Sequence, residues 1–404
     1  VAQALALRIN QGTTAIWASA SGNIVTVSSR IGGTSGNGLA FSSYQDPNWN
    51  VSLTFSSDVL TGGVDGIDMG LDLADPNGLA VQSLTQYWRT DLQASPRLNR
   101  ACRDWSQAFY TALVGYGLDC VTAFSTEVAH VDCTAATGMA QRYADGSPVV
   151  LNTPAIQTNF SSTSLSYWVP LYLDMAGIQA AAGLTPYLQS GEVQWWYFPK
   201  QKWAPDAEGN YLWIDAGVGM PFYDEYSQQE FQSRYGIPMQ TITSNMTDPA
   251  TVANESAFLP EQIGTYTAAI RTALQTAFPA ARYEVLYPID VNDTPLNRVI
   301  NYATEDWTPN HLHCLKTESF TYTYSRNLDL SYGSMRVSAE KGFEDSQRSH
   351  LVGIGDAKTA WMKEVDLAQA EGMESVVLFA LDQYCLIGYP APPFMRQRWS
   401  RRAA

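Results

Sequence analysis

The chain has 404 residues, 45% of them hydrophobic and 16% charged, and carries a formal net charge of −15. It is long enough for one large domain plus a small one, but it lacks the basic footprint that nucleic-acid binding requires. The acidity also disfavours anionic membranes and polyanionic substrates, and no apolar run reaches the roughly 18 residues of a membrane span. The one basic cluster, RQRWSRR at 396–402, reads as a solvated chain end.

The first 66 residues are poor in charge and rich in Ser, Thr and Gly. A short helix-like start (AQALALRINQG) leads into AIWASASGNIVTVSSR and GNGLAFSS, with hairpin chemistry at Ser21–Asn23 and a second SGN at Ser35–Asn37. TGGVDG at Thr61–Gly66 closes the stretch, which predicts a small α+β or β-rich module over 1–66. From Ile67 strand-like and helix-like segments alternate. Expected strands are 68–74, 119–128, 187–198, 282–290, 312–320, 350–356 and 375–384. Between them lie helical patterns such as RLNRACRDWSQAFYTALVGYG, SLSYWVPLYLDMAGIQAAAG (led by the capping-type SST at 161–163), EQIGTYTAAIRTALQTAF and AKTAWMKEVDLAQAEG. Alternation of this kind means βα units and a parallel sheet. Seven strands over 67–404, with no GxGxxG after the first, predict a (β/α)₈ TIM-type barrel and not a doubly wound sheet.

In a barrel the chemistry gathers at the carboxyl ends of the strands, and acidic residues gather there here. Glu127, Glu192, Asp290, Glu318, Asp356 and Asp382 each end or follow an expected strand. Solubilising charge belongs on the outer helices instead. Asp356 reads as a helix cap, because AKTAW opens a helix directly after it. Glu192 and Glu318 are followed by aromatic residues and not by helix formers, so capping explains them less well. Paired carboxyls are what glycosidic-bond cleavage needs: one protonated to donate to the leaving oxygen, one ionised as nucleophile or as base for water. On a strand, Glu192, Gln194 and Trp196 share a face. With Trp195, Tyr197 and Tyr223 they make a candidate sugar-binding surface, since Trp and Tyr offer flat apolar faces with a polar handle. Asn159, Asn292, Asp290, Glu127 and Asp382 are further candidates for sugar hydroxyls, although Asn and Asp in such loops equally suit turn chemistry.

Around GEVQWW at Glu192 and KTESFTY at Glu318 the chain resembles the clan A TIM-barrel glycoside hydrolases, in which a Glu on the fourth strand is the acid/base. The resemblance implies Glu192 as acid/base and Glu318 as its partner, nucleophile or water-activating base. It departs from the clan in having Gly191, not Asn, before the acid. The clan's nucleophile sits on the seventh strand, whereas Glu318 counts as the sixth and Asp356 as the seventh if a first strand is missing. The N-terminal SASGNIVTVSSR, GTSGNGLAFS and LTGGVDG resemble small modules of phage tail and baseplate proteins. That likeness implies an alternative, a non-catalytic glycan- or receptor-binding protein of a tail-like particle, and with it a secreted or particle-associated setting.

Other chemistries find little footing. No GxSxG elbow, Walker loop or DxDxDG calcium loop occurs. The nearest Gly-rich match, GIGDAK at Gly353, lacks the third glycine. Five cysteines without CxxC spacing argue against a disulfide scaffold and a cysteine zinc site, leaving one bridge open, Cys120 to Cys133. His311, His313 and Cys314 alternate, but at the start of a strand, away from the catalytic end. No metal and no cofactor are therefore expected, and the expected partner is a neutral or weakly charged carbohydrate.

Overall fold

A computed structural model of the chain describes residues 16–21, 24–29, 67–68, 71–72, 79–82, 87–129, 131, 138–151, 155–205, 211–353 and 358–380. The chain divides into two compact units, 1–106 and 107–404. In the first, β1 (Ile16–Ser21) pairs antiparallel with β2 (Ile24–Ser29), β3 (Ile67–Asp68) with β4 (Leu71–Asp72), and β5 (Leu79–Gln82) with β6 (Tyr87–Thr90). Register pairs Ser21 with Ile24, so β1 and β2 are joined through only two intervening residues, as the hairpin reading of this stretch expects. The described residues of DMGLDLA, Asp68, Leu71 and Asp72, belong to the short antiparallel pair β3–β4 and not to the parallel sheet expected for 68–74. The helical start and the second SGN lie outside the described residues. Helix α1 (Arg100–Gly115) runs across the division.

The second unit is built on a six-stranded parallel sheet. In chain order it contains β7 (Thr122–Ser125), β8 (Glu127–Ala129), β9 (Ala155–Gln157), α2 (Ser162–Ala181), β10 (Tyr187–Gly191), β11 (Gln201–Pro205), β12 (Tyr211–Asp215), α3 (Glu225–Tyr235) and α4 (Ala253–Ala277). It continues through β13 (Arg282–Pro288), α5 (Pro295–Ile300), β14 (Cys314–Glu318), α6 (Phe320–Tyr324), α7 (Leu328–Glu340), β15 (Arg348–Gly353), α8 (Lys358–Ala370) and β16 (Ser375–Phe379). The sheet order is β7-β10-β13-β14-β15-β16, with helices between successive strands. Each strand adds on the same side as the last. A doubly wound sheet would reverse direction at a switch point; this one curls one way, as a barrel does, and remains open between its β7 and β16 edges among the described residues.

Local chemistry explains the elements that carry the site. Strand β13, RYEVLYP, is buried from Tyr283 onward, as a parallel strand covered on both faces should be. Its outward Tyr283 donates to or accepts from the Ser190 hydroxyl at 2.6 Å, and Tyr172 of α2 meets the same hydroxyl at 2.7 Å. Sheet and helix layer are locked there. Ser161 caps α2, accepting from the Ser164 N–H, and Asp224 caps α3, which ends at Gly236 in the left-handed region (φ 70). Trp361 and Val365 of α8 pack on Val352 of β15 and fill the outer layer there.

Candidate active site

Register puts four carboxyl groups at one end of neighbouring strands. Ser125 of β7 pairs with Gly191 of β10, and Pro288 of β13 pairs with Glu318 of β14. Glu127 follows β7 by two residues, Glu192 follows β10 directly, Asp290 lies two residues past β13, and Glu318 ends β14. All four therefore stand at the carboxyl edge of the sheet.

Their electrostatics tie them into one cluster. Burial, then the fields of Glu127 and Asp290, push Glu192 from the ordinary 4.5 up to about 7. Burial, then the fields of Glu192 and Asp290, push Glu318 up to about 8. Burial raises Glu127 as well. The Tyr197 hydroxyl is driven far up, first by burial and then by Glu192, Glu318, Asp290 and Glu127 in that order, so it is the common neighbour of all four. Asp290 accepts the Val291 and Thr321 backbone N–H groups, one on each carboxyl oxygen. Among the described residues no donor reaches the carboxyls of Glu192 or Glu318. Nothing there offsets the loss of water around a negative charge, which is why both carboxyls are raised.

Glu192 is not on a strand. Strand β10 ends at Gly191, and Glu192 takes φ 51, in the left-handed region that disfavours side chains by about 1 kcal/mol or more. Neighbours hold it there. Its carbonyl accepts the Thr126 hydroxyl at 2.8 Å, the Gln157 amide at 3.4 Å and the Gln194 N–H at 3.0 Å, and Gln157 also donates to Thr126 at 2.7 Å. A turn of this kind removes the shared strand face expected for Glu192, Gln194 and Trp196.

Other expected sugar contacts resolve differently. Trp195 is core: fully buried, its ring N–H donates to the Leu259 carbonyl and its ring packs edge-on against Phe160. Gln194 is buried and accepts the Tyr197 hydroxyl, while its amide nitrogen finds no partner among the described residues. Trp196 is half-buried, its N–H fixed by the Gln141 side chain and its ring tilted against Tyr197 and edge-on to the exposed Phe198. Tyr223 is buried, donating to the Gln240 carbonyl and accepting the Ile242 N–H. Burial raises Asp224 to about 6, against the hydrogen bonds of Ser227 and Asn159; it caps α3. Asn159 spans Gly138, Asp224, Ser161 and Ser164, so its hydrogen-bonding capacity is taken up inside the fold. Asn292 is likewise enclosed, donating to the Pro288 carbonyl and accepting from Asn301. Asp356 and Asp382 lie outside the described residues. Cys120 is a free thiol, and Cys133, its expected bridge partner, lies outside the described residues.

Sequence reasoning missed a buried polar cluster on the inner face below the carboxyls. Lys316, two residues before Glu318 on the same face, donates to Gln189 at 2.6 Å and to Glu284 at 2.5 Å, and the Tyr187 hydroxyl donates to the second Glu284 oxygen. Among the described residues no group of three or more His, Cys, Asp or Glu is arranged to hold a metal ion.

A family model for the TIM barrel of non-contractile tail sheath proteins matches residues 81–206. That stretch includes β7 and β10, the first two strands of the one-way sheet. The fold is of the TIM-barrel type. Among solved structures, this TIM barrel is similar to the catalytic domain of β-amylase from Paenibacillus polymyxa, at 13% identity over 72% of this chain and 83% of that one, with a TM-score of 0.48. It is also similar to the glycoside hydrolase domain of PelA from Pseudomonas aeruginosa (9% identity, 68% and 84% covered, TM-score 0.36) and to the agarase AgWH50C (8%, 68% and 40%, TM-score 0.37). None of these structural likenesses bears on activity. A search of the curated proteins gives no match.

Proposed function

We propose that this chain hydrolyses glycosidic bonds in a neutral or weakly charged glycan, using Glu192 and Glu318 as its carboxyl pair. The observation that carries the reading is the pairing of two donor-less carboxyls, half-buried Glu192 just past the end of β10 and buried Glu318 at the end of β14, both raised far above the ordinary carboxyl range. Strands separated by one neighbour stand about 10 Å apart, which leaves room for a glycosidic linkage between their side chains.

Burial favours a division of labour opposite to the sequence-based one. Glu318, the more deeply buried of the two, is the general acid and protonates the leaving oxygen. Glu192, the more exposed, either attacks the anomeric carbon or takes a proton from the attacking water. Asp290 and Glu127 add negative field where an oxocarbenium-like transition state develops positive charge. Trp196 and the exposed Phe198, whose rings meet edge-on, are the aromatic pair proposed to take a sugar ring.

A second reading follows from the tail sheath match: the barrel holds a glycan for a tail-like particle without cutting it. Release of new reducing ends from a panel of polysaccharides, by the wild type and by Glu192→Gln, separates the two. Hydrolysis lost in the variant supports the enzyme. Glycan binding with no release by either protein refutes it in favour of the second reading.

A further inference from the structure

Behind β14, on the face turned away from the carboxyl cluster, lies a second polar group that catalysis does not use. His350 of β15 pairs directly across from Thr317 of β14, and its Nδ1 meets the Thr317 hydroxyl at 2.9 Å. Its Nε2 meets Glu364 of α8 at 2.8 Å. Glu364 also accepts the Ser319 hydroxyl at 3.2 Å and the Thr323 hydroxyl on its other oxygen. His350, Glu364, Thr317 and Ser319 are all fully buried.

Burying such a group is an expensive way to join a sheet to a helix. Apolar packing of similar volume would stabilise as well or better. The same strand and helix do use apolar packing one step away, where Val352 meets Trp361 and Val365. The polar cluster occupies the position beside the end of β14, and its two β14-side contacts, Thr317 and Ser319, are the residues on either side of Glu318. Both flanks are fixed from behind, and the intervening side chain is turned to the opposite face.

We propose that His350 and Glu364 are positioning residues that hold the end of β14 so that the Glu318 carboxyl is fixed in the cluster with Glu192 and Asp290. The inference rests on the glycosidase reading for its consequence, but the positioning itself can be measured without activity. Thr317→Val keeps the shape and removes the hydroxyl that His350 holds; Thr317→Ser keeps the hydroxyl. Ser319→Ala tests the other flank and serves if the valine variant fails to fold.

Two readouts decide. Carbon-13 labelling of the glutamate side chains follows the Glu318 carboxyl through its titration. A released strand end admits water, so the midpoint should fall from about 8 toward the ordinary range in Thr317→Val and Ser319→Ala, and stay in place in Thr317→Ser. For hydrolysis, kcat should fall by at least about tenfold in the first two variants with KM changed less than about twofold, as misplacement of a reacting group predicts. An unmoved Glu318 midpoint in folded Thr317→Val and Ser319→Ala proteins overturns the proposal, whatever the change in melting temperature. A moved midpoint in a protein whose wild type cuts no glycan would uphold the positioning and refute the glycosidase reading alone.

Discussion

Replacing Glu318 by Gln should stabilise the protein at alkaline pH and leave it nearly unchanged at acid pH. The fold holds this carboxyl 7% exposed, with no donor among the described residues, and raises it from 4.5 to about 8. A carboxyl raised by folding binds more protons in the folded than in the unfolded state throughout that window. Stability is therefore fully present below about pH 4.5 and is lost as pH rises toward 8. At 1.36 kcal/mol per unit, the ionised group costs the wild type about 4–5 kcal/mol at about pH 9 and under about 1 kcal/mol at about pH 5. Gln has the same shape and no charge, so the variant escapes that loss. With about 2 °C of melting temperature per kcal/mol, the variant should melt on the order of 8 °C above the wild type at about pH 9. Calorimetric melts of both proteins across this pH range make the comparison. A difference that stays constant with pH would refute the reasoning, because it would mean that Glu318 ionises as easily in the fold as in water.

The kcat/KM profile should be a bell with its acid limb near pH 7 and its alkaline limb near pH 8, the two values belonging to the pair; an acid limb near 4.5 would remove Glu192 from the base role. Glu192→Gly should abolish hydrolysis yet raise stability by about 1 kcal/mol at about pH 5, where charge plays little part, because glycine accepts the left-handed backbone freely. Urea unfolding reads this, and a loss of stability would show that the φ of 51 carries no strain. Trp195→Ala should cost about 3–5 kcal/mol of stability as a core truncation. Trp196→Ala should instead weaken glycan binding about three- to tenfold, as loss of a stacking contact does, and equal effects of the two on binding would return Trp195 to the sugar surface.

The architecture was legible because its signals are repetitive. Continuous apolar runs such as RYEVLYP, alternating with capped helices, imply a covered parallel sheet, and six of the expected strands lie in it in chain order. Carboxyls at strand ends could also be read, since Glu127, Glu192, Asp290 and Glu318 stand where a barrel places its chemistry. What surrounds them was much less legible. Period-two reasoning assumed that β10 runs on through Glu192, whereas the chain turns at a positive φ; Gly191, just before it, was the only hint of a break. Aromatic density does not distinguish a core Trp195 from a half-buried Trp196, because both lie in the same apolar run. Asn159, Asn292 and Tyr223 suit a sugar-facing surface by residue type, yet each satisfies buried backbone groups, which the sequence does not show. The same holds for His350 and Glu364, and for Lys316 and Glu284: their contacts exist only after strands and helices are stacked.

The central claim, that Glu318 donates a proton to a leaving sugar oxygen, is tested most directly by Glu318→Gln on two substrates. One is a glycan with an ordinary sugar leaving group. The other is a dinitrophenyl glycoside of the same sugar, whose leaving group departs without a proton. The account predicts that the variant loses at least about a thousandfold on the glycan, the upper range for general acid catalysis, and stays within about tenfold of wild type on the dinitrophenyl substrate. Equal losses on both substrates, or a wild type that cleaves neither, would contradict it.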